Sequence, residues 1–147
     1  MKSNDLFIEI QSKIKNSKVK KPLKYDNNNL NGSISNFNYD NYLKIKNTSI
    51  DEIKIEKIDD NKINDLKNGI DSFFKNYPVD NKDFEDFTKY ISLYLTFILK
   101  KPLHPLNLKI KDEVFIFEKN NKYYCKFKKQ YLEDENSVCK YCIAIDL

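Results

Sequence analysis

Hydrophobic residues recur at intervals of three and four through most of the first hundred positions, and then switch to alternation. In MKSNDLFIEIQSKIK, Leu6, Phe7, Ile10 and Ile14 mark one helical face behind Ser3 or Asn4 as a cap, so 1–20 reads as an N-terminal helix. KKPLKYDNNNLNGSIS combines Pro22, Gly32 and a run of asparagines, which predicts a loop or linker over 21–36. A short helix is expected over 37–45. The period is strongest from Ile63 onward: Ile63, Leu66, Ile70, Phe73, Phe74 and Tyr77 follow Asp59 or Asp60 as the cap. Pro78 stops that helix, and another starts near Asp80 or Asn81. It carries Phe84, Phe87, Ile91, Tyr94, Leu95 and Ile98 and becomes apolar nearly all round at its end, the mark of a central buried helix. Pro102 and Pro105 end it, so 60–100 holds two core helices.

The tail, 101–147, has a period of two. EVFIFEKNNKYYCKFK alternates on both sides of Asn120-Asn121, residues that tolerate the left-handed backbone of a two-residue hairpin turn. That turn sets Lys119 opposite Lys122 and Ile116 opposite Cys125. One face then holds Val114, Ile116, Tyr123, Cys125 and Phe127; the other holds Phe115, Phe117, Lys122, Tyr124 and Lys126. The expected fold class is mainly α: one helical domain over 1–147 with a small C-terminal β-hairpin and a metal knuckle.

Composition narrows the function. A chain of 147 residues with 40% hydrophobic and 14% aromatic content can bury a full core as one domain. Every cationic side chain except His104 is a lysine, and the net charge of +4 supports solubility without marking a nucleic-acid binder. The longest apolar run, YISLYLTFIL, is about half the ~20 residues a membrane-spanning helix needs. The acidic, amphipathic N-terminus does not resemble a signal peptide. A cytoplasmic protein is expected, where disulfides are disfavoured and clustered cysteines serve metals or catalysis.

That expectation gives weight to YYCKFKKQYLEDENSVCKYCIAIDL. It contains every cysteine of the chain, Cys125, Cys139 and Cys142, and the only histidine, His104, lies just upstream in KKPLHPL. Two thiolates spaced C-x2-C reach one ion from a single turn of chain. A remote Cys and His complete a tetrahedral Cys3His set, a structural zinc arrangement. Glu135 or Asp146 could replace His104. An iron–sulfur cluster is the alternative cofactor, although clusters more often take four cysteines. Plain buried cysteines and a thiol redox role for Val-Cys-Lys-Tyr-Cys are the competing readings.

Four protein ligands leave zinc no open position, and no nucleophile–base pair stands out, so the sequence leans away from an enzyme. The second hairpin face interleaves aromatics with lysines, the pattern of a single-stranded nucleic-acid surface. The competing reading packs that face against the long helix with its lysines at the edge. The partner is therefore open, protein or nucleic acid, with no membrane.

YISLYLTFILKKPLHP, KYYCKFKKQ and SVCKYCIA together resemble an uncharacterised family found mainly in methanogenic archaea, domain-of-unknown-function family 2115. The resemblance spans roughly residues 80–145. Its KPLHP, YYC and terminal C-x2-C elements place His104, Cys125, Cys139 and Cys142 on the family's pattern. It implies an anaerobic archaeal cytoplasm and names no reaction. The expected role is a small metal-binding protein, its metal a structural zinc, acting by binding rather than catalysis.

Overall fold

Four helices form the larger part of the molecule, in a computed structural model that describes residues 1–17, 30–134 and 137–146. Helix α1 (Ser3–Lys15) buries Leu6, Phe7, Ile10 and Ile14, the stripe read from the sequence. Its capping differs from expectation. Ser3 lies inside the helix, buried, where its hydroxyl donates to the Lys54 carbonyl at 2.6 Å and accepts from Glu56 N–H at 2.8 Å. The side chain pins the 54–56 segment to α1 instead of satisfying α1's own amides. The last part of the expected 1–20 helix, 18–20, lies outside the described residues.

The largest correction concerns 21–36. Residues 21–29 lie outside the described residues, but from Leu30 the chain is already helical, and α2 runs Leu30–Asn47. The short helix expected over 37–45 lies within it, and Ile34, Phe37, Asn41 and Ile45 fall on one stripe. Asn41 is buried with the core residues, its amide returning to the Phe37 carbonyl at 2.9 Å. A satisfied amide can occupy an apolar stripe at little cost. Gln11 of α1 donates to the Ile45 and Thr48 carbonyls at 3.1 and 3.0 Å, holding the end of α2.

Helix α3 (Asp60–Asn76) is capped by Asp59, whose carboxylate accepts from Asn61 N–H at 2.8 Å. Asn81 caps α4 (Lys82–Leu93) in the same way, through Asp83 N–H at 3.0 Å. Both caps agree with the sequence reading. Tyr77 and Phe84 do not sit in the core as expected; they are 54% and 49% exposed, Tyr77 lying tilted on Phe73 and Phe84 edge to face on Phe74. Every residue from Tyr90 to Thr96 is buried, so the end of α4 is the central element. There the helix widens into a π turn over Tyr94–Leu99 and stops at Lys100, whose φ of 55° is left-handed. The stop falls two residues before Pro102. Helices α1 and α3 flank α4, and α2 closes the bundle against α1 and α4.

The tail carries five short strands. Strands β3 (Ile116–Lys119) and β4 (Lys122–Cys125) form the predicted hairpin in the predicted register, Lys119 opposite Lys122 and Ile116 opposite Cys125. Asn120 and Asn121 supply the left-handed turn, at φ 54° and 62°. Two pairings were not expected. Strands β1 (Lys109–Ile110) and β2 (Glu113–Val114) make a second, smaller hairpin. Strand β5 (Ile145–Asp146) pairs in parallel with β4, giving the order β3-β4-β5.

Between β2 and β3 the alternation breaks at Phe115. Its N–H donates to the Leu108 carbonyl and its carbonyl accepts from Lys126 N–H, so its side chain turns inward. It meets Phe127 edge to face at 5.0 Å, although the alternation put these two rings on opposite faces. Leu108, Phe115, Ile116, Cys125 and Ala144 form a second core, which Ile34 of α2 also touches. The hairpin therefore builds its own core instead of lying on the long helix. The predicted basic-aromatic face loses Phe115 to that core and Lys126 to an ion pair with Glu113 at 2.7 Å. Phe117 and Tyr124 remain, stacked across the strands at 5.6 Å.

Candidate metal centre

The four residues singled out from the sequence come from three separate pieces of chain. His104 lies on the connection between the π turn and β1, with Pro102 fully buried two residues before it. Cys125 ends β4 and is buried by the sheet core. Cys139 opens a single 3-10 turn (Cys139–Tyr141) and Cys142 follows it, the Cys142 N–H donating to the Cys139 carbonyl at 3.1 Å. That turn is the physical meaning of C-x2-C here. His104, Cys125, Cys139 and Cys142 together line one small, enclosed pocket, closed by Leu103, Ile116, Lys128 and Val138. Its free volume is about 30 Å³, the space of one ion or water.

All three thiols are free. Among the described residues, no three His, Cys, Asp or Glu side chains meet in an arrangement that could hold a metal ion. The four share a pocket without converging, and tetrahedral zinc, with Zn–S of about 2.3 Å, needs them turned toward a common point. The metal knuckle of the expected fold is therefore not formed in this structure. Asp146 is exposed on β5 and lines no part of the pocket, and Glu135 lies outside the described residues.

Burial and backbone donors act on the pocket's sulfurs and imidazole in different ways. Leu103 N–H approaches the Cys142 sulfur at 3.4 Å. The Phe127 and Lys128 N–H groups bond the Cys125 sulfur, although burial outweighs them and pushes that thiol's pKa up. Burial also pushes His104 below its ordinary value, which keeps the imidazole neutral near pH 7, the state that can bind a metal. Cys139 N–H is held by the Ser137 hydroxyl at 3.1 Å. Lys128 donates to the Cys142 and Ala144 carbonyls, both at 2.6 Å, and so clamps the end of the knuckle to the start of the short helix α5 (Lys128–Tyr131). Sequence reading missed Lys128 and the three amides. A lysine three residues after a cysteine has no signature of its own, and backbone donors have none at all.

Tyr141, inside the C-x2-C, reaches away from the pocket to the helical bundle. A Cβ on Gly69 of α3 would collide with its ring. Gly in mid-helix costs roughly 0.5–1 kcal/mol relative to Ala, and here it opens the space in which the knuckle docks.

A helical bundle followed by a small sheet that carries a Cys3His pocket is thus the class of molecule. The chain belongs to the family described as an uncharacterized protein conserved in archaea (DUF2115), whose model matches residues 2–147. The likeness therefore extends upstream of the region where the motifs lie. A UPF0305 protein of Methanocaldococcus jannaschii is 33% identical, over 98% of this chain and 96% of that protein. A UPF0305 protein of Methanococcus maripaludis is 34% identical, over 71% of this chain and 63% of its own length. One from Methanothermobacter thermautotrophicus is 26% identical over 42% of this chain and 38% of its own. No solved structure matches. None of these descriptions states an activity. No described helix is long and apolar enough to cross a membrane.

Proposed function

We propose that the protein is a small metal-binding protein whose zinc is structural, held by Cys125, Cys139, Cys142 and His104, and that it acts by binding rather than catalysis. One observation carries the reading: the chain's only cysteines and its only histidine, from three pieces of chain, line one ion-sized pocket. The donor set fits the group. Three sulfurs and a neutral imidazole are a structural zinc set, and the move required is side-chain rotation, since backbone already brings the four to one cavity. Three thiolates and a divalent ion carry one net negative charge, and Lys128 at the pocket wall supplies the compensating positive charge. The Leu103 N–H at 3.4 Å from the Cys142 sulfur is a donor of the kind that accompanies metal-bound thiolates.

The test is anaerobic purification without chelator, followed by elemental analysis and thiol titration. About one zinc per chain is expected, with thiols that react only after chelation. Metal-free protein with three freely reacting thiols would overturn the reading. Iron and sulfide with visible absorption would transfer the site to an iron–sulfur cluster.

A further inference from the structure

A cleft of about 660 Å³ lies on the other side of the knuckle, between the start of α3, the π turn and the 56–59 segment. Its size is that of a small-metabolite site. The π turn supplies Thr96, which is 9% exposed and whose hydroxyl has no hydrogen-bond partner among the described residues. Ser92, one turn earlier, shows what a helical hydroxyl ordinarily does: it donates to the Thr88 carbonyl at 2.7 Å. Widening the helix to i→i+5 bonding removes that option from Thr96, and such turns gather at functional sites. A buried hydroxyl left unpaired beside a cleft is costly unless something else binds it.

The charges of the cleft point the same way. Lys100 is spent on Glu56 at 2.6 Å, and the Asp59 carboxylate on the α3 cap. Lys57, Lys62 and Lys140 make no ion pair among the described residues, against two such acids, Asp59 and Asp65. The lining keeps an excess of one positive charge, and its three lysines without an ion pair among the described residues suit a phosphate monoester, which carries about −1.5 to −2 at neutral pH. Phe97 and Tyr141 add aromatic surface for a flat or apolar remainder.

We propose that this cleft binds a small phosphorylated metabolite, its phosphate held by Lys57, Lys62 and Lys140 and by a hydrogen bond from Thr96. The proposal does not rest on the metal reading. It is tested by amide NMR on the full chain, with its metal content as purified, titrated with AMP, inorganic phosphate and adenosine. AMP is expected to shift Lys62, Thr96, Phe97 and Tyr141 saturably, phosphate to shift the same lysines more weakly, and adenosine to bind at least about 10-fold worse than AMP. Lys62→Gln with Lys140→Gln should weaken AMP about 10-fold or more. Thr96→Val removes a hydroxyl with no internal partner, so the fold should be unharmed while AMP binding falls about 3-fold or more. Absence of saturable shifts at these positions at millimolar AMP, or variants that bind AMP as well as the parent, would overturn it.

Discussion

The helical bundle and the C-terminal sheet are held together by different means. Among the described residues, fifteen buried side chains form the bundle's core, most of them on α1, α3 and α4. The sheet core has five, and two of those are Cys125 and Ala144. Helices also satisfy their backbone locally, whereas β3-β4-β5 must bring together residues twenty positions apart with strands of two to four residues. Strands so short are marginal without further support. The bundle is stabilised by area, and the proposed ion would add a cross-link to the sheet. The cysteine pocket sits where that cross-link would act, joining His104, the end of β4 and the C-x2-C turn.

The largest expected effect therefore comes from removing the proposed ion. A structural zinc can contribute on the order of 10 kcal/mol to folding, comparable to the whole stability of a domain. Chelation or Cys139→Ser should abolish hydrogen-exchange protection in β3, β4 and β5 while α1, α3 and α4 keep most of theirs. Cys125→Ser should act alike, and the double variant should be little worse than either single, because both ligands serve one ion. His104→Ala should be milder if water takes the fourth position. Unchanged protection of the sheet without metal would mean that packing alone suffices there, and the contrast between the two regions would collapse.

Next in size is the core itself. Leu66 is fully buried in the bundle, and Leu66→Ala should cost about 2–5 kcal/mol of global stability, read as a lower urea midpoint. Ile116→Ala empties a comparable site in the sheet core. Its effect should fall mainly on local exchange from 109 to 125, with the bundle's midpoint nearly kept. Equal loss of the urea midpoint in both variants would show a single cooperative unit.

How much of this was legible in the sequence follows the same division. The bundle's stripes in α1, α3 and α4 could be read because apolar residues repeat over three or more turns, and the caps Asp59 and Asn81 stand before them. Of helix α2 only 37–45 was read, since the asparagines and Gly32 before it usually mean turns. The π turn was hidden within YLTFIL, where apolar residues on every side leave no phase to betray a change of pitch. In the tail, Asn120-Asn121 gave away one register. The pairs β1–β2 and β4–β5 were unreadable because two-residue strands carry no period and β5 is parallel and distant. That His104, Cys125, Cys139 and Cys142 lie near one another was legible from clustering alone. Their supporting amides and Lys128 were not, being visible only once the chain is folded.

A smaller effect tests the joint between the regions. Gly69→Ala gains helix propensity but drives a methyl into the Tyr141 ring, so the ring or the 139–142 turn that carries it must shift. Overpacking of this kind costs about 1–3 kcal/mol, so a net loss of about 1 kcal/mol is expected, with faster exchange near Cys139 and Cys142. With Tyr141→Ala the collision is gone, and Gly69→Ala should become stabilising by roughly 0.5–1 kcal/mol. A Gly69→Ala effect of the same sign in both backgrounds would mean that the ring does not link tail to bundle.

The smallest effect isolates the sheet from both the bundle and the ion. Asn120 and Asn121 adopt left-handed φ in a two-residue turn, the geometry for which Asn-Gly is the preferred pair. For a residue with a Cβ that conformation costs roughly 1–2 kcal/mol, less for Asn, and for Gly it is free. Asn121→Gly should therefore raise protection of β3 and β4 by a few tenths to about 1 kcal/mol. Asn121→Val, a β-branched residue forced to positive φ, should lower it by about 1–2 kcal/mol. Neither change touches the cysteine pocket, so metal content should stay the same in both. If Asn121→Val also released the metal, strand pairing would be the support and the ion its dependent, the reverse of the order argued from the two cores.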